Sequence, residues 1–262
     1  MMNRVADRRS SKVPEVTLMF WLLKIAATTL GETAGDAVSM SMNLGYLVGT
    51  AIFAFLFLLA VAFQIRARKF RPVLYWATIV ASTTVGTTLA DFADRSLGIG
   101  YAGGVSILLV LLLASLAIWH RSLGSISIYS VSSPGAEVFY WITIMFSQTL
   151  GTALGDWTAD TAGLGYAGGV LVFGALLGAV AAAYFWTNIS RTRLFWAAFV
   201  LTRPLGAVVG DFLDKPISAG GLALSRYSAS AALLVFIVVS ILVVPQRAAA
   251  SHATGSRPTS VV

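Results

Sequence analysis

Four stretches of this chain repeat one polar pattern inside apolar sequence: WLLKIAATTLGETAGD, WATIVASTTVGTTLAD, WITIMFSQTLGTALGD and WAAFVLTRPLGAVVGD. Each begins at a Trp (21, 76, 141, 196), has a Gly at position 31, 86, 151 or 206, and closes on an Asp (36, 91, 156, 211). In the first three a Gly-Tyr pair follows, at 45–46, 100–101 and 165–166, with a further Gly at 49, 104 and 169; the fourth keeps Gly220 but lacks the Tyr. Such self-similarity requires stacked copies of one supersecondary unit, each burying a face against its neighbours. The first two repeats recur as the last two 120 residues further on, as in Asp36 and Asp156 or Asp91 and Asp211, which reads as a nested duplication.

Each repeat contains two apolar runs separated by the Asp to Gly-Tyr connection. With 57% hydrophobic residues, 11% charged residues and a mean hydropathy of +0.82, these runs read as membrane spans. The expected fold is an all-α membrane protein of eight transmembrane helices, at 14–40, 45–65, 72–93, 101–120, 135–158, 165–187, 193–213 and 222–244. Two spans per repeat give every repeat the same orientation, so the four are parallel and the two halves are related by a pseudo-twofold axis. The expected divisions are an N-terminal arm at 1–13, a first half at 14–120, a linker at 121–133, a second half at 134–244 and a disordered tail at 245–262. The segment MMNRVADRRSSK resembles the start of a signal peptide, but Lys24, Glu32 and Asp36 follow without a clear cleavage site, which indicates a retained span. The net charge of +7 does not point to nucleic acid, because the Lys and Arg residues crowd at span ends. Arg4, Arg8, Arg9, Lys12, Arg66, Arg68, Lys69, Arg71, Arg121, Arg191, Arg193, Arg247 and Arg257 fall on one side, against Arg95, Lys215 and Arg226 on the other. Both termini are therefore expected in the cytoplasm, with the chain in a bacterial inner membrane.

The informative chemistry lies on the first helix of each repeat. Lys24, Thr28, Glu32 and Asp36 are spaced four apart and share one helix face. The same register gives Thr83, Thr87 and Asp91, then Gln148, Thr152, Asp156 and Asp160, then Arg203, Ala207, Asp211 and Lys215. Polar stripes on four related helices can converge on a common axis, and ionisable groups at membrane depth must face protein, water or an opposite charge. The candidate ion-binding set is Thr28, Glu32, Asp36, Thr87, Asp91, Gln148, Thr152, Asp156, Asp160 and Asp211. Glu32, Asp36 and Asp156 are the expected metal ligands, and Lys24 and Arg203 the expected charge-compensating groups. Gly31 and Gly35, Gly151 and Gly155, and Gly206 and Gly210 form small-xxx-small faces that permit close helix approach. The Trp residues read as interfacial anchors or core packing. A potassium-filter reading of Gly-Tyr is excluded, because nine residues between Asp91 and Tyr101 are too few for a pore helix plus a filter.

The pattern W-x9-G-x4-D, present four times over nearly the whole chain, resembles a bacterial family of uncharacterised multi-spanning membrane-anchored proteins, which implies an architecture but no chemistry. The GETAGD stretch is similar to the E-x-G-D motif of cation/proton exchangers, with one extra residue between the acids and no following Lys-Thr, so their residue roles are not transferred. The leading expectation is a transporter of a small cation, a divalent ion such as Mn²⁺ or Mg²⁺, with room for proton coupling; oxygen ligands suit such hard ions. No cofactor and no enzymatic activity are expected. With no Cys, and only His120 and His252, thiolate and imidazole metal sites are disfavoured. The expected partners are the lipid bilayer and the small cation, not nucleic acid, and a homo-oligomer is allowed. The alternatives are a non-transporting scaffold or sensor, and an intramembrane aspartyl protease, whose G-x-G-D signature is not met because Thr33, Ala153 and Val208 occupy the first Gly position.

Overall fold

The structure, a computed structural model, describes residues 11–250. Its long helices are α1 (Leu18–Asp36), α2 (Gly45–Arg66), α3 (Pro72–Asp91), α4 (Gly100–Leu123), α5 (Pro134–Asp156), α6 (Gly165–Trp186), α7 (Arg191–Asp214) and α8 (Arg226–Val243). They fall within the eight expected runs to within four residues at each end. Local chemistry sets the starts: Pro72 and Pro134 occupy first-turn positions, where a missing N–H costs little. Ser133 caps α5 by accepting from the Ala136 N–H at 3.3 Å.

Six of these helices, α2, α3, α4, α6, α7 and α8, are long and apolar enough to cross a membrane, as in a multi-pass membrane protein. Helices α1 and α5 fall below that mark because of their polar residues, Lys24, Glu32 and Asp36 in one and Glu137, Gln148 and Asp156 in the other, all buried.

The arrangement is a ring within a ring. Helix α1 packs on α3 and α7, and α5 packs on the same two, so the four motif helices close a square. Each outer helix packs on the motif helix of the following repeat, α2 on α3, α4 on α5 and α6 on α7, and α8 returns to α1. A repeat is therefore not a compact hairpin; its second helix belongs to its neighbour's surface. The outer helices turn exposed apolar side chains such as Phe55, Val110, Leu171 and Leu242 outward.

Glycine sets how closely the ring closes. A Cβ on Gly86 would lie 2.9 Å from the Gln148 Cβ and 3.0 Å from its carbonyl carbon. One on Gly35 would lie 3.1 Å from the Thr87 side chain, and one on Gly210 would lie 2.7 Å from the Glu32 Cβ. Gly31 similarly meets Thr83, Gly151 meets Arg203, and Gly206 meets Thr28. Each motif helix thus lays its glycine face on the polar stripe of the next, and the pattern runs round the whole ring. Aromatic contacts repeat it at the basic end. Phe20 meets Trp76 with centroids 5.5 Å apart, Tyr75 meets Trp141 at 5.8 Å, Tyr140 meets Trp196 at 6.2 Å and Phe195 meets Trp21 at 5.9 Å. Tyr75 and Tyr140 share a 2.6 Å hydroxyl–hydroxyl hydrogen bond in the same layer. The motif Trp residues are packing groups.

After each of the first three motif Asp residues the helix widens into a single π-type turn, at Ala37–Ser41, Phe92–Ser96 and Trp157–Thr161. Two left-handed positions then start the next helix, Asn43 and Gly45, Gly98 and Gly100, Gly163 and Gly165. The Gly-Tyr glycine supplies a positive φ that other residues resist, and a tight turn replaces any filter. The fourth connection, without the Tyr, instead uses a short 3₁₀ turn at Ile217–Ala219.

At the basic end the segments flanking the bundle are tied together. The Glu15 N–H donates to the Arg247 carbonyl at 2.9 Å and the Ala249 N–H donates to the Val13 carbonyl at 2.8 Å. The start of the expected disordered tail therefore carries fixed structure through its pairing with residues 13–15; residues 1–10 and 251–262 lie outside the described residues.

Substituting Gly86 by Val should force α3 and α5 apart and cost about 1–3 kcal/mol, the range for overpacking a filled contact. Thermal unfolding in detergent should show a clear loss for Gly86→Val and little for Gly174→Ala, since nothing lies within 4 Å of a Cβ at Gly174. Equal losses would contradict the role assigned to the glycine face.

Candidate functional site: a layered ion-pair network

The polar stripes meet inside the ring in layers about 6 Å apart, the rise of four helical residues. Nearest the aromatic layer is Lys24. Its Nζ lies 3.5 Å from Gln148 Oε1 and 4.2 Å from the centroid of the Phe199 ring. Gln148 in turn donates from Nε2 to Ser82 Oγ at 3.3 Å. Lys24 was expected to neutralise a carboxylate; it meets an amide and an aromatic face instead, because the register-equivalent positions on the other three helices are Ile79, Ile144 and Phe199, none of them acidic.

Arg203 occupies the next level, fully buried. It donates from Nη2 to Glu32 Oε2 at 3.0 Å, to Thr87 Oγ1 at 2.6 Å and to the Thr83 carbonyl at 3.5 Å. The same nitrogen contacts Thr152 Oγ1, and Nη1 reaches the Thr28 carbonyl at 3.5 Å. Thr87 also donates to Glu32 Oε2, at 3.2 Å. One guanidinium from α7 thus gathers groups from α1, α3 and α5. Glu32, Thr28, Thr87, Thr152 and Arg203 come together as the stripes imply.

The four motif Asp residues form the outer layer, each almost fully buried. Two bases bridge them in pairs. Arg95 lies 2.9 Å from Asp91 and 3.2 Å from Asp156; Lys215 lies 2.6 Å from Asp36 and 3.0 Å from Asp211. Arg95 and Lys215 are 120 residues apart in the chain, each four residues beyond its own Asp and each reaching the Asp of the following repeat. Arg226 adds a third contact, 2.9 Å from Asp214 and 3.6 Å from Asp36. Burial opposes the charge on Lys215, but Asp211 and Asp36 outweigh it and hold the ammonium pKa well above the usual lysine range.

The spacing of the stripes marks Arg203 and Lys215 but neither Arg95 nor Arg226. Arg95, Lys215 and Arg226 read in sequence as residues of the side opposite the basic loops, and only the Asp-x-x-x-Arg and Asp-x-x-x-Lys spacing hints at their inward turn. Asp160 sits at the exposed rim, accepting from the Tyr101 hydroxyl at 3.3 Å. The expected trio of Glu32, Asp36 and Asp156 is not one cluster. One oxygen each from Glu32, Asp156 and Asp211 lie within 4.8 Å of one another, and Asp36 groups instead with Asp211 and Asp214. The difference follows from the closed ring, which places α1 and α5 on either side of α7.

An all-helical protein of four ring-forming repeats, with helices fit to cross a membrane, is the class that fold and site define. The repeats are recognised individually: residues 19–70, 74–125, 139–190 and 194–246 each match a family described as Repeat of Unknown Function (DUF347), and the chain belongs to that family. No curated protein and no solved structure matches it.

Because Glu32 and Arg203 are both buried, removing either leaves the other uncompensated. Arg203→Leu should destabilise the protein by about 3–5 kcal/mol, as expected for a broken buried pair. The double variant Arg203→Leu with Glu32→Gln should recover much of that loss. Chemical unfolding of the single and double variants measures the coupling, and additive effects would remove the pair from its structural role.

Proposed function

We propose that this protein is an integral membrane transporter of a small cation, most simply a divalent ion of the Mn²⁺ or Mg²⁺ kind. In this reading all eight helices cross a bacterial inner membrane, the halves are related by a pseudo-twofold axis, and both termini are cytoplasmic. Helices α1 and α5 can cross despite their polar residues because the ring encloses those residues away from lipid. The equivalence of Arg95 and Lys215 supports the twofold relation, and the basic loops support the sidedness. A reporter fused within residues 66–71 should lie in the cytoplasm; an external reporter there would overturn the orientation.

The observation that carries the transport reading is the buried trio of Glu32, Asp156 and Asp211. Arg95 and Lys215 each bridge an Asp pair, but neither spans Asp156 and Asp211, so that seam holds carboxylates without a shared base. Asp211 Oδ1 faces Lys215 without an aligned hydrogen bond. Glu32 can release Arg203 toward an incoming ion, because Thr28, Thr83, Thr87 and Thr152 continue to accept from the guanidinium. Counting charges supports the same reading. The ring's interior and its outer rim together hold seven buried carboxylates (Glu32, Asp36, Asp91, Asp94, Asp156, Asp211 and Asp214) and five bases (Arg95, Arg203, Lys215, Arg226 and Lys24, the last meeting none of the acids), a net of two negative charges when all are ionised. A single divalent cation, or two protons, would balance them. In the transport cycle the aromatic layer closes the basic side, and Arg95, Lys215 and Arg226 cover the other.

A second reading has one specific observation behind it. Arg95 and Lys215 tie neighbouring motif helices together, as a scaffold requires. An aspartyl protease is less well supported, since each motif Asp faces a base rather than sharing a proton with another Asp. Flux of Mn²⁺ and Mg²⁺ into proteoliposomes discriminates the readings. Wild-type protein should move at least one of the two ions. Asp156→Asn and Asp211→Asn should each reduce flux at least about tenfold, since loss of even an outer-shell partner of a metal ligand costs that much, and the rim variant Asp160→Asn should retain it. Absence of flux in folded wild-type protein would favour the scaffold.

A further inference from the structure

The outer helices do not fill the ring's grooves equally. The residue eighteen positions after each Gly-Tyr tyrosine is Gln64 on α2, Trp119 on α4 and Tyr184 on α6. Gln64 is 2% exposed and Trp119 is 0% exposed, the latter meeting Trp196 with centroids 5.8 Å apart. Tyr184 is 48% exposed: it turns outward, where the Arg191 guanidinium lies over its ring, 3.9 Å from the centroid. What an inward side chain fills in two repeats is left open in the third. The result is a cavity of about 510 Å³, with walls from α1 and α6 and a floor from α7.

The lining changes along its length. Trp21, Ile25, Leu177, Ala181 and Phe195 make the interior apolar, while Thr17, Arg191 and Thr192 stand at the basic end. That end also holds the first turns of α1 and α7, whose leading N–H groups favour an anion beside them. From Thr17 to Ile25 the cavity runs about 12 Å along α1, against about 15 Å for one leaflet of the hydrocarbon core. An apolar slot one leaflet deep, with a guanidinium and two helix starts at its interfacial end, has the chemistry of a lipid with an anionic headgroup.

We propose that the α1–α6–α7 groove is a binding site for one anionic phospholipid of the leaflet on the basic side, its acyl chain in the slot and its phosphate beside Arg191. The site rests on the membrane reading of the fold and not on transport.

Native mass spectrometry of the full-length protein, released from nanodiscs that contain equal phosphatidylglycerol and phosphatidylcholine with matched chains, tests it. Wild type should retain one phosphatidylglycerol with about a fivefold preference, which is what one interfacial arginine supplies. Ala181→Trp, which fills the slot from an exposed position, should remove retention of both lipids. Arg191→Gln should keep retention and lose the preference. Equal retention of the two lipids by wild type, or a preference that survives either variant, would overturn the proposal. Retention seen only after deletion of residues 1–10 would make the chain's own N-terminal segment the occupant, and would overturn it equally.

Discussion

The contact on which everything else depends is the glycine face of one motif helix against the polar stripe of the next. Without side chains at Gly31, Gly86, Gly151 and Gly206, the four helices approach closely enough for a guanidinium on one to touch three others. A larger residue at any of them would widen the ring, and the buried charges would lose partners they cannot replace from lipid. Close packing is therefore what makes the polar interior affordable at all, and the two features have to occur together.

That geometry also explains the connectivity. A two-helix unit with a polar stripe and a glycine face has two surfaces to satisfy, and neither is complementary to itself. Each repeat meets its own needs only by borrowing, its stripe covered by the preceding glycine face and its outer helix laid on the following repeat. Four such units close on themselves, α8 returning to α1, and no stripe remains facing lipid. A chain of two repeats would leave one open stripe carrying acids, whereas four repeats close the ring.

Much of this was legible in the sequence because it depends on period and residue type. The eight helices follow apolar runs, and the shared faces follow spacing by four. What could not be read was the order of the ring, since spacing along one helix does not say which neighbour it meets. Asp36 and Asp156 looked like partners of Glu32; closure put Asp211 beside Glu32 and sent Asp36 to Asp214 and Lys215. Lys24 shows the same gap: its charge implied a carboxylate, and its layer holds only Ile79, Ile144, Phe199 and the Gln148 amide above. Arg95 and Lys215 lie where the chain leaves its helices, and only their spacing of four from Asp91 and Asp211 distinguishes them from solvated bases there.

Symmetry is broken where chemistry is to be sought. At the level of Glu32 the equivalent residues are Thr87, Thr152 and Ala207, and at the level of Arg203 they are Thr28, Thr83 and Gln148. Neither charge is tolerable alone at that depth, so the two belong together: the acid on α1 makes sense only with the base on α7, its immediate neighbour in the ring. The Asp layer, in contrast, meets two bases, Arg95 and Lys215, each four residues beyond its own motif Asp. The Glu32–Arg203 pair therefore overlays a single direction on an otherwise balanced frame. It draws α1 and α7 together and sets Glu32 beside Asp156 and Asp211, and so distinguishes that seam from the Asp36–Asp91 seam, the other one that neither Arg95 nor Lys215 bridges.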